Sequence, residues 1–374
     1  GRGGDGPAWG VLEFIERFVR ARWYWPTEMG GRSILKQTDL VVDPVWLEDA
    51  PVTRERLIWP WSSRRVKDVQ DLWPHQARLR MGNSWPIGVR VHTPRWEDEQ
   101  DYRKERPEIY ELREDGTRNW HTLCYGHPRT LETHLENVAL YVEGKPSRLP
   151  IGGGTITVSP ADGIVDCHCE HCRRLWDEDA GVWGRASRVM ATFVDNLARE
   201  LKRRWPDRDL NVIFLAYRNY TEPPEGFGFP DNVTVQICGM PSMAMYRSPA
   251  IRAEEQRILD GWIEISGRRV KTWHYLGWPV MWTKAPYQYP HVLKEYYTHN
   301  RDKVVGTFIN GRHDHWPARH VSLYCWFKLM WDPDFDVDAA VDGYCRRMFG
   351  AAADTMRELV GMQITGWEDS EWLC

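Results

Sequence analysis

Three cysteines stand together as Cys167-x-Cys169-x-x-Cys172. Thiolates at i, i+2 and i+5 of one loop can converge on a soft cation, so the spacing predicts a structural zinc site with Cys124, His168 or His171 as fourth ligand and Cys124 the first choice. The same trio admits one disulfide with a leftover thiol, or free thiols, although cysteines two apart rarely reach the separation and dihedral of a mutual bridge. Five more cysteines, Cys124, Cys238, Cys325, Cys345 and Cys374, are scattered, and eight in 374 residues do not make a disulfide scaffold. His313-x-His315 has no third ligand near it in sequence and reads as a weak metal candidate.

The second kind of chemistry is that of carboxyl groups. Asp162 lies three residues past the apolar run Thr155–Ser159 and just before Gly163, where a strand gives way to a turn. That is the place for an acid that protonates a glycosidic leaving oxygen, and also the place for a plain Asp-Gly turn. Glu222 is the next candidate acid, with a solvated loop carboxylate as its alternative, and Glu97-Asp98-Glu99 reads as a solvated run. Around these acids the ends of apolar runs supply rings and hydrogen-bonding groups suited to a sugar: His92 and Trp96, Tyr217, His274 with Tyr275 and Trp278, and Asn310 with Trp316. Tryptophan is the compositional outlier, at 22 of 374 residues. These rings stack on C–H faces while their neighbours bond hydroxyl edges, so the predicted partner is an oligosaccharide or glycan. The predicted chemistry itself requires no cofactor. Gly152-Gly-Gly154 leads into a strand rather than a helix, which removes a phosphate cradle, and no Gly-x-Ser-x-Gly elbow is present.

The elements that position these residues follow from periodicity. Trp9, Leu12, Ile15 and Val19 share a helical face that runs into the aromatic turn Arg22-Trp-Tyr-Trp-Pro26. Apolar strand runs are predicted at Leu57–Trp59, Ala77–Met81, Gly88–His92, Thr155–Ser159, Val212–Tyr217, Val233–Cys238, Val270–Leu276 and Val304–Asn310. Several are continuous rather than alternating, as in strands covered on both faces. Helices are predicted between the later ones, at Ser187–Leu201 and Ile251–Ile265, and in the tail, where Asp336 can cap a helix that Gly350 closes, with another from Ala351. Alternating strands and helices with eight strand candidates predict an α/β fold, a (β/α)₈ TIM barrel, with an open doubly wound sheet as the alternative. The predicted division is residues 1–50 as the end of a small α/β domain, 51–330 as the barrel and 331–374 as a helical extension. In a barrel, Asp162, Tyr217, His274 and Asn310 are expected to share the cleft at the strands' C-terminal ends.

With 49 basic against 53 acidic residues the net charge is −4, which excludes a nucleic acid held by a basic face. The mean hydropathy of −0.58 and the lack of a long apolar run exclude a transmembrane helix.

The order of motifs resembles the bacterial family called domain of unknown function 4838, whose members are glycoside-hydrolase-like. The resemblance rests on Gly10-Val-Leu-Glu-Phe-Ile-Glu16 with Arg22-Trp-Tyr-Trp-Pro26, Arg106-Pro-Glu108 with Tyr110 and Gly116-Thr-Arg118, and Leu123-Cys124. It continues through Asp162-Gly163 leading to Cys167-x-Cys169-x-x-Cys172, then Leu215-Ala-Tyr217, Leu329-Met-Trp331-Asp-Pro333 and Phe349-Gly350-Ala-Ala352. It implies a TIM-barrel catalytic domain preceded by a small α/β domain, and a secreted or periplasmic protein. The implied relatives are α-glucuronidase-like proteins and endo-acting β-N-acetylglucosaminidases that use substrate-assisted retention. Asn310-Gly311 departs from the Glu or Gln expected near the eighth strand end. A glycoside hydrolase is therefore the leading expectation, and a catalytically inactive carbohydrate-binding barrel the alternative.

Overall fold

The structure, a computed structural model, describes residues 6–26, 31–61, 69–82, 92, 94, 96, 99–238, 248–276, 286–312 and 316–368. The chain folds into two compact units. One comprises Trp85–Met240 and Ala253–Trp273, the other Gly1–Ser84, Pro241–Arg252 and His274–Cys374. The strands in chain order are β1 (Arg22–Trp23), β2 (Arg32–Ser33), β3 (Glu55–Trp61), β4 (Tyr110–Leu112), β5 (Arg118–Leu123), β6 (Ile151–Gly152), β7 (Thr155–Val158), β8 (Asn211–Ala216), β9 (Val233–Cys238), β10 (Val270–Leu276) and β11 (Val304–Arg312).

The unit built around Trp85–Met240 carries a parallel run. Strand β7 pairs with β8 in the register Val158↔Phe214, β8 with β9 as Phe214↔Val235, and β9 with β10 as Gln236↔Lys271, while the short β6 closes antiparallel on β7. Val212, Phe214 and Ala216 are fully buried, which explains the near-continuous apolar sequence of β8. The helix Ser187–Arg204 connects β7 to β8. It buries Val189, Met190, Phe193, Val194, Leu197 and Leu201 at helical spacing and ends on Lys202-Arg-Arg204, where cations meet the negative end of the helix dipole. Trp262 of the helix Pro249–Ser266 lies 5.4 Å, ring to ring, from Phe214 and donates its indole N–H to the Thr221 carbonyl at 2.7 Å. Beside this sheet, β4 and β5 form an antiparallel pair whose register shifts between Tyr110 and Glu111. That bulge re-aims the side chains next to it.

In the other unit β3 and β11 pair in parallel over Glu55↔Gly306 through Trp61↔Arg312. Their inner residues Ile58 and Ile309 join one core with Tyr289, Tyr297, Trp326, Phe327 and Met330. The tail is helical as expected: Asp336 accepts from the Ala339 N–H at 2.9 Å to cap Val337–Phe349, Gly350 follows at φ +53°, and Ala353–Glu368 forms the last helix.

Six of the eight expected strands coincide with β3 and β7 to β11. Ala77–Met81 does not: it is the end of the helix Val69–Arg78 and the turn after it, with Leu79 and Met81 buried. Alternation over five residues is too short to exclude a helix end. Apart from His92, Gly88–His92 lies outside the described residues. The architecture is mixed α/β with a parallel-rich sheet, and eight-strand closure is not among the pairings of the described residues. No helix among those residues is long and apolar enough to cross a membrane.

Candidate functional site

In a parallel sheet all strands end at one edge, and the loops there gather the side chains that can meet a ligand. After β7 the chain continues Ser159-Pro-Ala-Asp162, and after β8 it continues Tyr217-Arg218. The two ends meet: the buried Tyr217 donates its hydroxyl to Asp162 Oδ1 at 2.8 Å. The Arg218 guanidinium lies 3.6 Å from the same oxygen and 5.2 Å over the Tyr217 ring. Burial, then the neighbouring Asp162, push the Tyr217 hydroxyl above its ordinary value, so it remains a donor. Arg218 holds φ +52°, a conformation that costs a non-glycine residue free energy and that clusters at functional sites. Asn219 clamps the loop from below, accepting from the Val165 N–H at 3.0 Å and donating to the Val165 carbonyl at 2.8 Å. His92 takes part as well. Its N–H donates to Ser159 Oγ at 3.2 Å and its Nδ1 lies 2.8 Å from the Pro160 carbonyl, with φ +54°.

Asp162 lines a cavity of about 510 Å³, within the range of small-ligand sites. Glu111, Asn119, His121, Asp166 and His168 also line it. Asp162 itself is 62 % exposed, whereas Glu111 is only 4 % exposed. Burial pushes the Glu111 carboxyl up to about 7, with the nearby Asp166 carboxylate adding to the rise and hydrogen bonds from the Asp166 backbone and the Asn119 side chain opposing it. Its Oε2 has no hydrogen-bond partner among the described residues. Asp166, by contrast, is paired with Arg185 at 3.1 Å and lies 3.5 Å from His168 Nε2. Glu111 escaped the sequence reading because a lone acid in a three-residue strand carries no pattern. The signal available was an acid between Tyr110 and Leu112, whose neighbours both read as strand.

The remaining expected residues are placed differently. Glu222 is held in an ion pair with Arg257 at 2.6 Å, its side chain only 16 % exposed, so it stands as a structural partner of the helix Pro249–Ser266 rather than as an acid open to ligand. Trp96 is a core residue: 1 % exposed, packed on Tyr102 and His134, with its indole N–H on the Arg148 carbonyl. It offers no stacking face, and the same holds for His274, which is buried between Tyr296 and Trp326 with its imidazole pushed down to about 3 by burial. Tyr275 is buried and Asn310, in β11, is half-buried. Trp278, the Trp316 side chain and His313-x-His315 lie outside what the structure describes.

A second constellation is made of sulfur. Cys124 follows β5, and its Sγ is 3.4 Å from Cys169 Sγ and 3.6 Å from Cys172 Sγ. With Cys167, the four sulfurs all lie within 4.8 Å of one another, and three of the four residues are buried. His168 and His171, the other two fourth-ligand candidates, are not in the group.

No curated protein matches the chain in sequence. Among solved structures it is similar to a mutant O-GlcNAc hydrolase of Thermobaculum terrenum at 14 % identity and TM-score 0.37, covering 65 % of this chain and 49 % of that one. It is similar to CpGH84B at 11 % identity and TM-score 0.38, over 83 % of this chain and 54 % of the other. The likeness to CpGH84D is 12 % identity and TM-score 0.31, over 81 % and 42 %. The chain thus spans about half the length of these structures. The family described as Domain of unknown function (DUF4838) matches residues 38–361, and the motifs named above fall largely within that span, so the chain belongs to this family.

Proposed function

We propose that the protein is a glycoside hydrolase that acts on a glycan outside the cytoplasm, with N-acetylhexosamine-containing chains as the first substrates to test. The observation that carries the reading is the pair of unlike carboxyl groups on one cavity, Glu111 buried with its carboxyl at about 7 and Asp162 exposed and held by Tyr217. Glycoside cleavage asks for such a pair, one group kept protonated near neutral pH and one carboxylate facing the sugar. Glu111 delivers its proton to the leaving glycosidic oxygen as the bond from the anomeric carbon breaks. Asp162 faces the anomeric centre or orients the substrate's own acetamide there, with Tyr217 fixing its angle, and water then bonds to the anomeric carbon and returns a proton to the Glu111 carboxylate. The sequence expectation of Asp162 as proton donor thus passes to Glu111.

The test uses two isosteric variants and two substrate kinds. Glu111→Gln is expected to lower turnover of an unactivated glycan by about 10²–10⁴-fold, and to cost much less on an aryl glycoside whose leaving group needs little protonation. Asp162→Asn is expected to lose heavily on both, with glycan binding retained. The reverse pattern returns the acid role to Asp162. Wild-type protein that binds glycan and releases no sugar from any substrate supports a catalytically inactive carbohydrate-binding protein instead.

A further inference from the structure

We infer that Cys124, Cys167, Cys169 and Cys172 form a closed tetrathiolate site for one zinc ion, which ties the end of β5 to the loop that carries Asp162 and Asp166. A regular tetrahedron with Zn–S bonds of about 2.3 Å has edges of about 3.8 Å. The Cys124–Cys169 and Cys124–Cys172 sulfur separations of 3.4 and 3.6 Å, and the 4.8 Å limit over all four sulfurs, bracket that edge. A disulfide needs about 2.05 Å and satisfies only two of the four. The backbone around the sulfurs suits thiolates. The Leu112 N–H points at Cys167 Sγ at 3.3 Å and the Cys172 N–H at Cys169 Sγ at 3.4 Å, so two sulfurs accept backbone hydrogen bonds, as metal-bound thiolates do.

The backbone is shaped around the sulfurs as well. A Cβ on residue 126 would lie 2.7 Å from Cys172 Sγ and 2.9 Å from its nitrogen, so only glycine lets the chain leaving Cys124 pass the cluster. Four sulfur donors and no oxygen donor select a borderline-soft ion over magnesium or calcium. Four protein ligands leave no open position, so the ion is structural and not a participant in hydrolysis. Cys124 and Cys169 are 45 residues apart in sequence, and the His168 N–H donates to the Leu112 carbonyl at 2.7 Å. The ion therefore fixes the wall of the cavity on which Glu111, Asp166 and His168 stand.

Elemental analysis of the full chain, purified without chelator, is expected to find about one zinc per chain. Cys169→Ser, at the least buried of the four ligands, is expected to lower zinc affinity by at least roughly tenfold and to lower Tm, whereas Cys345→Ser, a buried cysteine outside the cluster, leaves the stoichiometry unchanged. Should the Cys169 variant fail to fold, cobalt exchanged into wild-type protein decides. Tetrahedral ligand-field bands with sulfur-to-cobalt charge transfer support the site. Folded, metal-free protein in which all four thiols react overturns it, as do iron in place of zinc or a disulfide among the four in a peptide map.

Discussion

Burial sets Glu111 apart from every other carboxyl of the cavity, and it has a consequence for stability as well as for proton transfer. Its carboxyl is raised from 4.5 to about 7 in the folded chain. Between those values the folded state holds a proton that the unfolded state has released, so stability falls as pH rises through that window. The full shift corresponds to roughly 3 kcal/mol as an upper bound. Glu111→Gln, which cannot ionise, is expected to match the wild type near pH 4 and to be the more stable of the two near pH 8 in urea unfolding. A stability difference that is the same at both pH values removes the buried-acid assignment. Asp162 was legible because it follows an apolar strand and precedes a glycine. Glu111 was not, because its burial is a property of the folded chain and its charge neighbour Asp166 lies 55 positions on, neither of which is written locally. Trp96 and His274 show the converse: ring type suggests stacking, but only the packing reveals that both are buried against Tyr102 and Tyr296.

At the scale of elements, long apolar runs were legible and short alternations were not. Strands β8, β9 and β10 are covered on both faces, so their sequences are apolar enough to stand out, and the helix Ser187–Arg204 repeats its buried residues over five turns. Ala77–Met81 misled because Leu79 and Met81 are buried by a turn that follows a helix. The cysteine cluster was legible in two ways: the trio in one loop is a spacing pattern, while Cys124, the first choice for the fourth ligand, stood among three candidates until the fold placed the end of β5 beside the loop. The turn between β6 and β7 gives an element-scale prediction. Gly154 sits at φ +78°, and a Cβ there would lie 2.0 Å from the Asp209 carbonyl oxygen, a backbone atom that cannot swing away. Gly154→Ala is expected to destabilise the fold by more than about 1–2 kcal/mol, through the left-handed backbone and the clash together. Gly228→Ala, with open space and no positive φ, is the control and should change little. Equal midpoints in denaturant for the two variants would refute this account of the turn.

At the scale of the whole molecule, the interior of the unit holding both ends of the described chain contains charge as well as rings. Glu16, on the helix Gly6–Arg17, accepts from Arg80 at 2.5 Å and from Lys328 at 2.5 and 2.7 Å, and Arg80 also pairs with Glu13. Glu16 and Lys328 are 312 residues apart in sequence, and both side chains are largely buried. Removing one partner of a buried ion pair leaves the other charge uncompensated, which typically costs about 3–5 kcal/mol. Glu16→Gln is expected to lose stability on that scale, and removing the second cation as well with Glu16→Gln and Lys328→Met, which leaves Arg80 on Glu13, should recover part of it. A double variant no better than the single one would show that the network acts through packing alone.

The interleaving of the two units has a consequence for how the polypeptide is made. Strand β3 pairs with β11, so roughly 240 residues must leave the ribosome after one partner before the other exists, about 10–50 s at usual elongation rates. Leu57 and Ile58, buried in the finished protein, face the cytosol or a chaperone for all of that time. The unit around Trp85–Met240 is nearly continuous and can condense while the nascent chain is still growing, but its neighbour in sequence cannot. Growth at lower temperature and co-expression of a holdase should therefore raise the soluble yield of the whole chain, by sheltering a strand that is translated early and paired late.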